Sequence, residues 1–195
     1  GVAAISIEDK VFPKQNSLLE GGSQDLLSEK EFVAKIIAAK EAKKNSDFMI
    51  IARTEALIAG LDMNEAIQRA RAYEKAGANA ILIHSKKNTP DEVFEFADSW
   101  GGNLPLVIVP TSYPSISLTD VQKHKIRMII YANQTLRAAH ASMNKVLEQI
   151  KNSDNLNVKE EISSMEDIFK LQKMYELKTE EEMIKQNLKK MGYIS

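Results

Sequence analysis

The chain has 195 residues, enough for roughly one domain with a sizeable core. It is 44% hydrophobic and 27% charged with a formal net charge of -1, which excludes a disordered chain and supplies no global field for nucleic acid. The absence of cysteine removes disulfides, thiolate metal sites and a cysteine nucleophile. No apolar run approaches the roughly 18 residues of a membrane span, and no basic segment precedes an apolar one at the start, so a soluble, cytoplasmic protein is the default expectation.

The first element is the apolar opening of "GVAAISIEDK", whose first charge is Glu8. The same form recurs in "DFMIIARTE", "ANAILIHSKK", "LPLVIVPTS" and "IRMIIYANQT". Each is a near-continuous apolar run with branched residues that ends in polar groups, the pattern of a buried parallel strand. Helical segments alternate with these runs. Phe32, Val33, Ile36 and Ile37 form one stripe, and Ala66, Ile67, Ala70 and Tyr73 the next, with Gly77 as its C-terminal stop. "TPDEVFEFADSW" reads as a third helix with Thr89 as N-cap, Pro90 at the first helical position and Val93, Phe94, Ala97 and Trp100 facing the sheet. Met49, Met128, Tyr131 and Trp100 read as packing residues. His124 is assigned to a surface segment and His140 to a helix face.

Five strand candidates with intervening helices make an α/β protein of repeated βα units. A doubly wound sheet accommodates five strands directly, although the G-x-G-x-x-G fingerprint is absent; an eight-stranded barrel needs about 250 residues, so these units would be its later part. The opening inside a strand favours material upstream, and the residues by themselves leave the barrel and the open sheet both standing. The tail differs in character. Leu136, Ala139, His140, Met143, Val146, Leu147 and Ile150 stripe a long helix, the polar "KNSDNLNVKE" follows, and Met165, Ile168, Leu171 and Tyr175 mark a last helical stretch capped by Ser164 and Asp167. The expected organisation is a partial barrel over residues 1–151, with a loop near 10–25, and a helical extension over 152–195 that covers its own barrel or a neighbouring subunit.

Polar groups gather where the apolar runs stop: Glu8, Asp9 and Lys10, then Arg53 and Glu55, then His84 and Ser85, and finally Asn133. In either architecture the carboxyl ends of parallel strands line the ligand crevice. Glu8 suits a hard cation, directly or through water, or else a cap or salt bridge. Arg53 offers a rigid fork for two oxygens of a phosphoryl or carboxylate group, or an internal pair with Glu8 or Glu55. His84 can donate to an oxyanion or move a proton, or serve as a hydrogen-bonded rim residue. Lys14, Asn16 and Ser17 follow Pro13 on a segment where Gly21 and Gly22 provide hinges for a lid, or an ordinary flexible turn.

"EDKVFPKQNS", "IIARTEALIAG", "RARAYEKAGANAILIHSKK" and "VIVPTSY" together resemble the phosphoenolpyruvate mutase family of the isocitrate lyase/phosphoenolpyruvate mutase superfamily, over essentially the whole chain. The resemblance implies a (β/α)8 TIM-type barrel of which this sequence covers about the last five βα units plus C-terminal helices. It also implies Mg2+ and a homotetramer, a dimer of dimers with an exchanged terminal helix. Glu8 matches the metal-site glutamate, Lys14, Asn16 and Ser17 the gating loop, and Arg53 and His84 the pair that orients the transferring group. The family's metal-binding aspartates fall before Gly1, so these residues alone are not expected to complete the site.

The activity so implied is interconversion of phosphoenolpyruvate and phosphonopyruvate, the step that forms the C–P bond of phosphonates. Three alternatives stand beside it. Phosphonopyruvate hydrolase shares much of the same pattern, with threonine in place of Asn16. A carbon–carbon lyase of the isocitrate type uses a loop cysteine, and this chain has none. A non-catalytic fragment with a binding or assembly role is the third. Expected partners are a small-molecule substrate and further copies of the chain, with neither nucleic acid nor membrane.

Overall fold

The computed structural model of the chain describes residues 1–153 and 162–194. The expectation for "KNSDNLNVKE" therefore falls largely outside the described residues. Two compact units divide the chain, residues 1–134 and 135–195.

The first unit is built on one parallel sheet in which β1 (Ala4–Glu8), β2 (Met49–Thr54), β3 (Ala80–Ile83), β4 (Leu106–Ile108) and β5 (Ile126–Ile129) lie side by side in chain order. Four helices alternate with them: α1 (Glu29–Ala42), α2 (Met63–Ala76), α3 (Asp91–Ser99) and α4 (Leu118–Lys123). Sequential order decides between the two architectures. Right-handed crossovers that always advance to the next strand leave every helix on the same side, whereas a doubly wound sheet reverses its order to place helices on both. The sheet is an arc of a TIM-type barrel.

Its two faces follow from the two-residue strand period. Ala52, Ile81, Ile83, Leu106, Ile108 and Ile126 join Phe32, Ile36, Ala66, Ala70, Tyr73, Val93 and Phe96 of the helices in the main core. Phe32 and Tyr73 meet edge to face with centroids 4.7 Å apart, worth about 0.5–1.5 kcal/mol beyond their burial. On the opposite face Ile51, Ala80, Leu82, Val107 and Val109 form a second cluster, with Ala4, Met49 and Ile130 against it. This is the inner face of the arc. Among the described residues β5 pairs only with β4, which leaves Met128 and Tyr131 exposed, contrary to their reading as packing residues.

Local chemistry sets the helix ends. Ser28 and Glu31 form a reciprocal capping box at α1, Asp62 caps α2, and Gly77 ends α2 with a φ of 103° that favours glycine. At α3 the N-cap position is Pro90 rather than Thr89, whose hydroxyl bonds Asp91 instead, and Phe96 rather than Phe94 is the fully buried ring. The short α4 starts at a Ser117–Asp120 box. His124 closes it, stacked on Phe94 at 4.0 Å and bonded to Asp98.

The second unit contains α5 (Gln134–Asn152, whose first residue belongs to the first unit), α6 (Met165–Leu171) and α7 (Met174–Lys190). The expected box of Ser164 and Asp167 is formed at α6. The single stretch expected beyond it is broken at Lys173, which takes a φ of 54°, so Leu171 and Tyr175 belong to different helices. None of the residues of these three helices is buried. No described helix is long and apolar enough to cross a membrane.

Candidate active site at the carboxyl ends of the strands

Register places the first two site residues. Glu8 ends β1 opposite Arg53 of β2, and the strand period puts Arg53 on the inner face two residues beyond Ile51. His84 likewise follows Leu82, so strand geometry alone brings both groups to the mouth of the arc. The segment over residues 11–25 reaches across this mouth. Its base is pinched by a Lys10–Leu26 bridge, by Val11 N–H donating to the Asp25 carbonyl at 2.9 Å and by Leu27 N–H donating to Asp9 O at 2.8 Å. Gly21 turns with a φ of 71°.

A cavity of about 340 Å³ lies beneath. Glu8, Lys14, Asn16, Ser17, Arg53 and His84, the six residues singled out in the sequence, all line it, together with Asn133 after β5 and with Thr111. The structure thus brings the whole set together. It also shows what each already holds. Glu8 is ion-paired with Lys14 and, at 3.4 Å, with Arg53 Nε. The Lys14 side chain is 58% exposed. Asn16 Oδ1 accepts Leu18 N–H at 2.9 Å, which leaves its NH2 group without a protein partner on an exposed side chain. Asn133 Oδ1 is buried and unpartnered.

The centre of the network is Glu55, which the sequence offered only as an internal partner for Arg53. Fully buried, it accepts Arg53 Nε at 2.5 Å and approaches His84 Nδ1 at 2.9 Å through Oε1. Its other oxygen takes the Ser17 hydroxyl and lies 3.7 Å from Lys10 Nζ. Burial pushes this carboxyl up, but the hydrogen bonds from His84 and Arg53 and the Arg53 charge outweigh it and hold the pKa at about 2. Lys10 is buried as well and donates to Gln15 O at 2.8 Å and Ser17 Oγ at 3.1 Å. Ser17 is therefore turned inward, its single proton spent on Glu55.

Arg53 also reaches His84 Nδ1 at 2.7 Å and Ser17 Oγ at 3.2 Å through Nη2. Nδ1 cannot both accept from Arg53 and donate to Glu55. An ionised carboxylate against a nitrogen lone pair is repulsive, and Arg53 has other acceptors, so the proton belongs on Nδ1 and its bond goes to Glu55. Nε2 is then the nitrogen available to a ligand. Arg53 Nη1 likewise has no protein partner.

Beneath this layer lies Asp9, buried against Tyr73 OH at 2.6 Å, Arg69 Nη1 at 3.3 Å and the Glu55 backbone N–H at 2.8 Å. Burial raises its pKa despite those bonds. Burial and the Asp9 charge together push the Tyr73 phenol well above its ordinary value. Sequence reading placed Asp9 and Lys10 only among the polar strand ends. Both follow Glu8 without a break, and nothing in that spacing marks them as buried.

Among the described residues no three His, Cys, Asp or Glu side chains gather as a metal site. Glu8 is the one carboxylate lining the cavity and does not by itself fit the six-oxygen shell of Mg2+.

Residues 1–151 match the family model described as phosphoenolpyruvate phosphomutase. The chain is 45% identical over 88% of its length to phosphonopyruvate hydrolase of Variovorax sp. (strain Pal2), and 42% identical over 91% to phosphoenolpyruvate phosphomutase of Tetrahymena pyriformis. These matches take in 60% and 59% of the two relatives, so the chain spans about six tenths of their length. A crystal structure of phosphoenolpyruvate phosphomutase from Streptomyces platensis subsp. rosaceus superposes with a TM-score of 0.88 at 42% identity, over 93% of this chain and 63% of that one.

Proposed function

The chain belongs to the phosphoenolpyruvate phosphomutase family, and from that premise we propose that its site belongs to a mutase interconverting phosphoenolpyruvate and phosphonopyruvate. The observation that carries the reading is Asn16. Its carbonyl is held by Leu18 N–H, so its NH2 group is presented at the cavity with a fixed loop behind it. Arg53 Nη1 is the other N–H left for a ligand, and His84 Nε2, with the ring proton on Nδ1, is an acceptor. N–H donors from Asn16 and Arg53 around one cavity suit the equatorial oxygens of a phosphoryl group in flight, whose charge they stabilise without reorganising. In the phosphonopyruvate direction the P–C bond breaks and a P–O bond forms to the enolate oxygen of the same molecule, so no other acceptor for the phosphoryl group must enter. The loop over residues 11–25 excludes water that would otherwise take the phosphoryl group.

Family membership implies a divalent cation. Glu8 would hold one side of a Mg2+ shell, directly or through water, with further ligands from the acidic positions that the resemblance sets before Gly1. Bound there, the ion would supply Lewis-acid stabilisation of substrate oxygens.

Phosphonopyruvate hydrolase is the second reading, favoured by the 45% identity to the Variovorax enzyme. Phosphorus NMR of the whole protein with phosphonopyruvate and Mg2+ separates the two. Phosphoenolpyruvate as the first product supports the mutase; inorganic phosphate and pyruvate with no phosphoenolpyruvate on the way establish the hydrolase. For assembly, Leu136, Met143, Leu147 and Ile150 of α5 and Met183, Ile184 and Leu188 of α7 are all exposed apolar residues. Helices of this kind suit a second copy of the chain, as an exchanged terminal helix within a dimer of dimers.

A further inference from the structure

We propose that Glu55 is a positioning residue with two separate duties, one on each oxygen: Oε1 orients Arg53 and His84, and Oε2 latches the loop over residues 11–25 shut through Ser17 and Lys10. The proposal rests on the reading of Arg53 and His84 as ligand-binding groups. Its basis is the division of contacts. Both groups bonded to Oε1, Arg53 Nε at 2.5 Å and His84 Nδ1 at 2.9 Å, come from the strand ends. Those at Oε2, the Ser17 hydroxyl and Lys10 Nζ, come from the loop and its base.

The latch is internally consistent. Lys10 Nζ donates to both Ser17 Oγ and the Gln15 carbonyl, so one buried ammonium holds two points of the loop and neutralises the carboxylate on which they close. Ser17 Oγ accepts from Lys10 and from Arg53 Nη2 while donating to Glu55, which fills its capacity. Lifting the loop takes the Ser17 hydroxyl from Oε2 and the Gln15 carbonyl from Lys10, and leaves Lys10, at the base of the loop, as the one partner of that oxygen, a poorer arrangement that favours reclosure. Below, the Asp9 carboxylate grips the Glu55 backbone N–H at 2.8 Å and so fixes the height at which the side chain stands. Loop closure and the orientation of Arg53 and His84 are thus referred to one side chain, and a closed loop is matched to a correctly aimed pair. The loop supplies Lys14 and Asn16 to the same cavity, so the latch also sets where the Asn16 amide stands.

The test uses Glu55→Gln and Ser17→Ala in the full chain without substrate. Cleavage by trypsin after Lys14 reads loop opening, because proteolysis follows the open population when reclosure is fast. The Nδ1–H resonance of His84 reads the Oε1 duty. In Glu55→Gln, cleavage after Lys14 should rise at least tenfold and the protected Nδ1–H signal should shift upfield or be lost, since an amide oxygen is a weaker acceptor than a carboxylate and an amide NH2 group is none. Ser17→Ala should raise cleavage several-fold and keep the Nδ1–H signal, a separation that a general loosening of the fold does not produce. A folded Glu55→Gln with either readout at its wild-type value overturns the proposal. Should Glu55→Gln fail to fold, Ser17→Ala decides, and wild-type cleavage or a lost Nδ1–H signal in that variant overturns it. Neither readout involves a substrate, so failure of the mutase reading appears only in the products and leaves these results independent.

Discussion

Asp9 Oδ1 accepts the backbone N–H of Glu55 at 2.8 Å, tying the end of β1 to the turn after β2 by a bond that no strand ladder provides. The other oxygen of Asp9 takes Tyr73 and Arg69 from α2. Removing this carboxylate leaves the Tyr73 hydroxyl proton and the Glu55 amide without an acceptor and takes one charge partner from Arg69, which keeps Glu65 and the Leu27 carbonyl. Asp9→Ala should therefore cost about 3 kcal/mol of folding free energy, read as a lower urea midpoint at unchanged slope. A loss under about 1 kcal/mol would show that water or a neighbour replaces Asp9.

Arg53→Ala in the whole enzyme should lower kcat/KM at least a hundredfold, roughly 2.7 kcal/mol of transition-state stabilisation. Arg53→Lys should recover little, because a compact ammonium does not reproduce the planar fork that bonds Glu55 through Nε and Ser17 through Nη2 while leaving Nη1 for a ligand. Steady-state kinetics near wild type in a folded Arg53→Ala would remove the residue from the site.

Glu55 titrates at about 2 in place of an ordinary 4.5. A carboxyl held low in the folded chain stabilises it fully above its unfolded value, and that contribution is lost as pH falls from 4.5 toward 2. Asp9, whose carboxyl is raised from 3.8, acts in the opposite sense, its part weakening as pH rises. Comparing wild type with Glu55→Gln isolates the first effect. The variant should show a flatter loss of stability below pH 4.5 in chemical denaturation; an unchanged acid limb would mean that Glu55 is not the ionised hub described.

Asn16→Ala should sharply lower isomerisation of phosphonopyruvate, since alanine supplies no donor. Asn16→Thr should shift products toward inorganic phosphate, because a shorter side chain with one donor leaves room for water. Phosphorus NMR follows both changes. Equal product ratios in wild type and Asn16→Thr would disconnect this position from the choice between mutase and hydrolase.

Light scattering of the whole protein should give a mass above that of one chain. Replacing Leu147 and Ile150 of α5 by glutamate should lower it, because a charge on an apolar contact face is strongly unfavourable. A monomeric wild type would reject the proposed helix exchange.

The strands and their ends were the legible part of this sequence. Buried parallel strands announce themselves by near-continuous apolar runs, so Ile50, Ile81 and Ile108 marked their elements, and the first polar residues after them marked the mouth. The barrel arc was not legible from periodicity, since strand order is a property of the sheet and only the family resemblance pointed to it. The α3 start was misplaced by one residue, because Thr89 and Pro90 both suit a helix N-terminus and the choice depends on where the preceding turn leads. The break at Lys173 carried no local signal; a lysine in the left-handed region is set by the chain around it. Glu55 was underrated for the same kind of reason. Its weight comes from Lys10, Ser17, Arg53 and His84 converging on it, and nothing in "ARTEA" records three of those four.

The neighbour-by-neighbour strand order has a consequence for biosynthesis. Each βα unit can dock on the one made just before it, so the sheet can grow as the chain emerges, N-terminal part first. The cavity cannot, because it draws Glu8 from β1, Arg53 from β2, His84 from beyond β3 and Asn133 from beyond β5. At roughly 5–20 residues per second, some 6–25 seconds separate the synthesis of Glu8 from that of Asn133. Within that interval Glu55 is made before His84, so the growing sheet carries a charged, half-built mouth until its last groups arrive.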